Sequence, residues 1–74
     1  MSETIKFYFS ENIDHIIRLK KLTYMDVKNE TGIPTATLAD WRTGRIPRDL
    51  VKVKKLSLYL NTTLDDLLFS DLKK

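Results

Sequence analysis

Residues 42–55 carry Arg42, Arg45, Arg48, Lys52, Lys54 and Lys55 against a single acid, Asp49. Guanidinium and ammonium groups at this density suit a polyanion, the arginines through their planar forks and the lysines as point charges. Residues 15–28 add Arg18, Lys20, Lys21 and Lys28 against Asp26, while 1–14, 29–41 and 61–74 are each net acidic. A solvated helix surface accounts for the same pattern without any ligand. Other chemistry is scarce. The chain has no cysteine and one histidine, His15, which reads as a surface residue. Disulfides, thiolate nucleophiles and thiolate metal ligands are therefore excluded, and neither a metal nor a cofactor is expected. Asp65 and Asp66 are adjacent on a helical stretch and diverge by about 100°, which does not make an acid–base pair. There is no phosphate-cradling glycine-rich loop and little room for a pocket, so an enzyme is not expected.

The chain length, 74 residues, supports one hydrophobic core. At 42% hydrophobic and 31% charged residues, with two Gly and two Pro, the composition is that of a folded domain. No apolar run approaches the roughly 18 residues of a membrane span, and the opening MSETIK lacks the features of a secretion signal. A soluble, cytoplasmic protein with no membrane association is the expectation.

Apolar residues recur at helical spacing through most of the chain, which predicts an all-α fold of five short helices. The first spans residues 10–21, capped by Ser10, with Ile13, Ile16 and Ile17 on one stripe. The second begins at Thr23, whose spacing to Asp26 suits a capping box, and stops at Gly32. The third occupies residues 34–43 with Pro34 in its first turn and Gly44 beyond its end. The fourth covers residues 49–60, turning Leu50, Val53, Leu56, Ser57 and Leu60 inward. The fifth opens with Thr63 as cap and Asp65 and Asp66 in its first turn, and buries Leu64, Leu67 and Leu68. In the opening IKFYF, Ile5, Phe7 and Phe9 alternate like a strand, whereas Ile5, Phe9 and Ile13 recur like a helix. Both readings stay open.

The stretch GIPTATLADWRTGR, residues 32–45, is unusual for a surface helix. On a helical wheel Leu38 and Trp41 point one way, and Ala36, Ala39, Asp40 and Thr43 the other, with Thr35 at the tip. Trp41 is expected to anchor the core rather than stack on a base. Small outward side chains let a helix backbone come close to another molecule, and the major groove of B-DNA, about 12 Å wide, admits one helix. Asp40 could accept from cytosine N4, exclude bases that offer only acceptors, or simply be solvated.

The pattern resembles the lambda repressor and Cro (XRE-like) family of helix-turn-helix DNA-binding domains. The similarity runs from Phe9 to Phe69 and rests on Thr23 and Val27, Gly32 and Ile33 in the turn, Leu38, Trp41 and Gly44, Leu60, and the LDDLL of residues 64–68. The resemblance implies a compact five-helix lambda-repressor-like domain over residues 9–69, after an arm at 1–8 and before a tail at 70–74. It implies base-edge contacts from Thr35, Ala36 and Asp40, with Ala39 alongside, and phosphate contacts from Thr23, Tyr24, Thr43, Arg45 and Arg48. Lys28 stands where the family usually has Ala, and Tyr24 where Gln is common. The family's frequent Arg in helix one and Glu late in helix three fall on Ile17 and Arg42. That ion pair is thus expected to be missing at both ends, leaving Arg42 for phosphate.

Val51 and Leu58 lie together outside the inward stripe of the fourth helix, and Phe69 and Leu72 continue the apolar character beyond the fifth. These four form the expected interface of a symmetric homodimer. The reading is a sequence-specific regulator, a repressor, that binds double-stranded DNA through residues 34–43, with no small-molecule ligand expected. The alternative is a protein-interaction module, an antitoxin or assembly factor, on the same fold.

Overall fold

A computed structural model describes residues 6–73. Five helices follow in order: α1 (Phe9–Lys20), α2 (Tyr24–Thr31), α3 (Thr35–Arg42), α4 (Leu50–Tyr59) and α5 (Leu64–Phe69). The all-α expectation holds. α1 packs on α3 and α5, α2 packs on α3 and α4, and α4 also meets α5. Their inward stripes share one core, in which Phe9, Ile13, Val27, Ile33, Leu38, Val53, Leu56 and Leu67 are fully buried. Among the described residues no helix is long and apolar enough to cross a membrane, and no group of three or more His, Cys, Asp or Glu could hold a metal ion.

Ser10 does not cap α1. The helix starts at Phe9, with Tyr8 in the cap position, and Tyr8 N–H donates to the Leu68 carbonyl at 2.8 Å. Burying a Phe contributes about 1.5–3 kcal/mol, whereas a Ser cap contributes about 1 kcal/mol, so the apolar anchor sets the helix start. The Phe9 ring meets Trp41 edge-on, with centroids 5.2 Å apart. Residues 6–8 are neither strand nor helix, and Ile5 lies outside the described residues.

α2 has the expected capping box. Thr23 Oγ1 accepts from Asp26 N–H, and Thr23 N–H donates to Asp26 Oδ2, both at 3.0 Å. Its far end is closed by Gly32 at φ 77°, whose N–H donates to the Lys28 carbonyl at 2.7 Å. That left-handed turn strains any residue with a Cβ and sets the angle between α2 and α3. Lys28 itself is exposed and does not obstruct the packing of the two helices. Thr31 ties the same turn from within, donating to the Val27 carbonyl at 2.6 Å and accepting from Ile33 N–H at 3.2 Å.

In α4, Asp49 accepts from Val51 and Lys52 N–H, and Val53, Leu56, Ser57 and Leu60 turn inward as expected. Leu50 does not, being 59% exposed. It lies in the first turn at the edge of the stripe, about 60° from Val53 on the wheel, beyond the reach of the core. Thr63 caps α5, and Leu67 and Leu68 are buried with Leu64 partly covered.

The chain beyond α5 folds back onto α1. Asn12 is fully buried; its Nδ2 donates to the carbonyls of Leu67 at 2.9 Å and Ser70 at 2.6 Å. Its Oδ1 accepts from Leu72 N–H at 3.0 Å. Leu72 packs against the core and is therefore not a leftover apolar residue free for an interface.

Candidate nucleic-acid interface

α3 is amphipathic in an uneven way. Leu38 and Trp41 are buried at 0% and 3%, which bears out the core role of Trp41. Ala36 and Asp40 are exposed, and Thr35 and Ala39 half-buried. The four residues expected to read bases thus line the outer side of one helix. Pro34 stands just before α3, which begins at Thr35.

Past α3, Thr43 Oγ1 donates to the Asp40 carbonyl at 2.8 Å, and Gly44 at φ 111° turns the chain so that Arg45 and Arg48 project outward. Pro47 is buried between them while Ile46 is exposed, so the loop is pinned at its centre. Arg45 Nε lies 3.8 Å from Asp40 Oδ2. This is a loose, wet pair between a carboxylate expected to meet bases and a cation expected to meet phosphate. Both border an open groove of about 280 Å³ that Arg48 and Lys52 also line.

Arg42 corrects the sequence reading. It was expected to be free for phosphate because the familiar partners of helix one and helix three were both absent. Instead its Nε donates to Asp14 Oδ1 at 2.9 Å, its Nη2 donates to the same oxygen, and its Nη1 donates to the Tyr24 hydroxyl at 3.1 Å. The guanidinium also lies over the Tyr24 ring, 5.4 Å from its centroid. An ion pair between α1 and α3 therefore exists with its sign reversed: the acid is on α1 and the base on α3. The partner on α1 is not at the Ile17 position but at Asp14, on the same side of the helix three residues earlier. Asp14 also accepts from Arg18 Nε at 3.0 Å. The hydrogen bond from Arg42, with help from Arg18, holds the Asp14 carboxyl below its ordinary pKa against the opposing cost of desolvation. The same contact with Asp14, with Tyr24 adding to it, raises the Arg42 pKa.

Thr23 and Tyr24 sit at the start of α2, where the helix dipole favours anions. Thr23 is exposed; its Oγ1 accepts from Asp26 N–H in the cap, which leaves its O–H to donate elsewhere, and hydrogen bonding to Thr23 N–H lowers the pKa of Asp26. Tyr24 is half-buried, with its hydroxyl beside Arg42.

Residues 12–69 match the Cro/C1-type HTH DNA-binding domain family. The chain belongs to that family. A solved structure with a similar fold, a transcriptional regulator from Listeria innocua, aligns with a TM-score of 0.76 at 23% identity, covering 93% of this chain and 70% of that one. No curated protein matches the sequence. In this Cro/C1-type domain α2, the Gly32 turn and α3 form the helix-turn-helix unit, and the loop after α3 carries its exposed arginines.

Val51 and Leu58 are each 66% exposed on α4, as expected of side chains outside the core stripe. Phe69 is 43% exposed and already has a neighbour, the ring of Phe7, edge-on with centroids 6.0 Å apart. The four residues assigned to an interface therefore do not form one bare patch: Val51 and Leu58 are open, Phe69 is partly covered by the arm, and Leu72 is packed inward.

Proposed function

We propose that this Cro/C1-type domain is a sequence-specific double-stranded DNA-binding transcriptional regulator that acts by binding and not by catalysis. Its α3 enters the major groove. The observation that carries the reading is the outer side of α3: Ala36 and Asp40 exposed, Thr35 and Ala39 beside them, and exposed Arg45 and Arg48 directly after. Short side chains let the helix approach the groove floor, while the arginines that follow reach the backbone on its rim. In this reading Thr35, Ala36, Ala39 and Asp40 meet base edges, and Thr23, Tyr24, Thr43, Arg45 and Arg48 meet phosphates. The Listeria innocua structure with the similar fold is a transcriptional regulator, which supports a regulatory role. In this reading its effect is repression, because occupancy of a DNA site obstructs other proteins there. Two copies related by a dyad, meeting through Val51 and Leu58, place two α3 helices on half-sites about 34 Å apart.

Selection from random duplex DNA at two salt concentrations tests the reading. A defined preferred sequence, bound more weakly at higher salt, is the expected result. Arg45→Ala and Arg48→Ala should weaken binding to every sequence and reduce the salt dependence by about one ion each. Thr35→Ala and Asp40→Ala should change which bases are preferred. Arginine variants with unaltered affinity and salt dependence would show that DNA docks elsewhere or not at all.

A further inference from the structure

One side of α4 turns away from the core and carries Leu50, Val51, Lys54, Lys55 and Leu58, all exposed. Leu50, Lys54 and Leu58 follow one another at four-residue spacing, and Val51 and Lys55 make the neighbouring row. The face is therefore apolar at both ends. Leu50 and Val51, 59% and 66% exposed, form one end, and Leu58, 66% exposed, forms the other, about 10–12 Å along the axis. Between the ends stand two ammonium groups. Among the described residues neither Lys54 nor Lys55 has a carboxylate within ion-pair distance, whereas Lys52 pairs loosely with the cap residue Asp49 at 4.0 Å. Beyond Leu58 the face opens into a hollow of about 340 Å³ bordered by Asn61, Thr62, Thr63 and Asp66.

The charge of this face limits what can cover it. A second copy meeting it through Val51 and Leu58 brings Lys54 and Lys55 toward their own counterparts whichever way the dyad runs, because an isologous contact sets one patch against itself. Like charges then crowd beside an apolar contact that is losing its water, which leaves such a pairing open to displacement. A DNA backbone offers the opposite charge but little apolar surface. An acidic amphipathic helix meets both needs: apolar side chains seven or eight residues apart cover the two ends, and carboxylates one turn in from each reach the lysines. We propose that this side of α4 docks an acidic amphipathic helix of a partner protein. Docking there goes beyond the DNA-binding reading and makes no use of Arg45 or Arg48, so the two stand or fall separately. It would separate two copies paired through Val51 and Leu58 and so release DNA that is held by the pair.

The test uses a labelled synthetic helix with two leucines seven residues apart, glutamates between them on the same side, and alanine and glutamine elsewhere. A control peptide replaces each glutamate by lysine. Fluorescence anisotropy with the full chain should show the acidic peptide binding at least about tenfold more tightly than its control. Lys54→Glu combined with Lys55→Glu should invert that order, and Leu58→Asn should weaken the acidic peptide about tenfold. All three positions are exposed, and circular dichroism melting verifies that the variants fold. Arg45→Ala should leave peptide binding unaltered. Sedimentation equilibrium with saturating peptide should find one copy of the chain per peptide, whether or not the chain pairs alone. Equal binding of the two peptides, or binding of neither, overturns the proposal. So does an equal loss from Arg45→Ala, which would make the peptide a mimic of DNA beside α3. A dimer that the peptide leaves intact gives the face to a second copy and overturns it too. Phosphatidylserine vesicles that bind more tightly than the peptide, with the same dependence on Lys54 and Lys55, give the face to a membrane and likewise overturn it.

Discussion

Asp14 in the middle of α1 holds Arg42 at the last turn of α3, with Arg42 Nε 2.9 Å from Asp14 Oδ1 across 28 residues of sequence. The pair fixes the far end of the exposed helix to the body of the domain. Only 21% of the Arg42 side chain is exposed, against 37% for Asp14, so the pair is neither fully wet nor desolvated.

The pair makes stability depend on acid in a definite direction. The folded Asp14 carboxyl titrates below its unfolded value, so its contribution is complete above the unfolded pKa of about 3.9 and is lost as the pH falls through the lower folded value. Wild type should therefore exceed Asp14→Asn in Tm at neutral pH, with the gap closing in strong acid. A gap independent of pH would assign the effect to packing instead.

Trp41 carries the hydrophobic attachment of α3, edge-on to Phe9 and nearly buried. Trp41→Ala should lower unfolding free energy by about 3–5 kcal/mol. Thermal or urea unfolding in the absence of DNA measures this directly, and an unchanged midpoint would contradict the core role.

Asp40 and Arg45 are loosely paired at 3.8 Å. Asp40→Asn removes a negative charge from the outer side of α3 and releases Arg45. Binding to mixed-sequence DNA should tighten while discrimination among sequences declines. Competition between a selected site and mixed-sequence DNA reads both quantities, and unchanged discrimination would remove Asp40 from the base-reading set.

Leu58→Glu tests the proposed pairing of two copies. If Val51 and Leu58 meet their counterparts, sedimentation equilibrium should find a dimer in wild type, alone or on DNA, and a monomer in the variant. A monomer in both, with equal DNA affinity, would leave these side chains as ordinary surface residues.

Much of the fold was legible because its signals are local. The Thr23–Asp26 capping box, the Gly32 turn, the Thr63 cap and the stripes around Leu38 and Leu56 all lie within a few residues of what they control. The misreadings involved partners distant in sequence. Ser10 is a good cap by type, but Phe9 is drawn into the core by Trp41, 32 residues away. Leu72 looked surplus because no nearby residue called for it; its N–H is held by Asn12, 60 residues earlier. The Arg42 pairing is not legible because Ile17 offers no charge and because charge alone does not say which turn of another helix will face it, here that of Asp14. The outer residues of α3 were legible as a set, since exposure follows from helical period, but the Asp40–Arg45 pairing across the Gly44 turn was not.

The Asn12 side chain joins α1 to the end of α5 through contacts 55 to 60 residues apart, while the α2–α3 unit is built from near neighbours. Long loops close at an entropic cost that must be met before their contacts give any return. The joining of the two terminal helices is therefore expected late in folding, after the helix-turn-helix has a framework of its own. Changes at Asn12 would then accelerate unfolding far more than they retard folding, so the lifetime of the native state, and not the time needed to reach it, is set at the end of the molecule remote in sequence from the Gly32 turn.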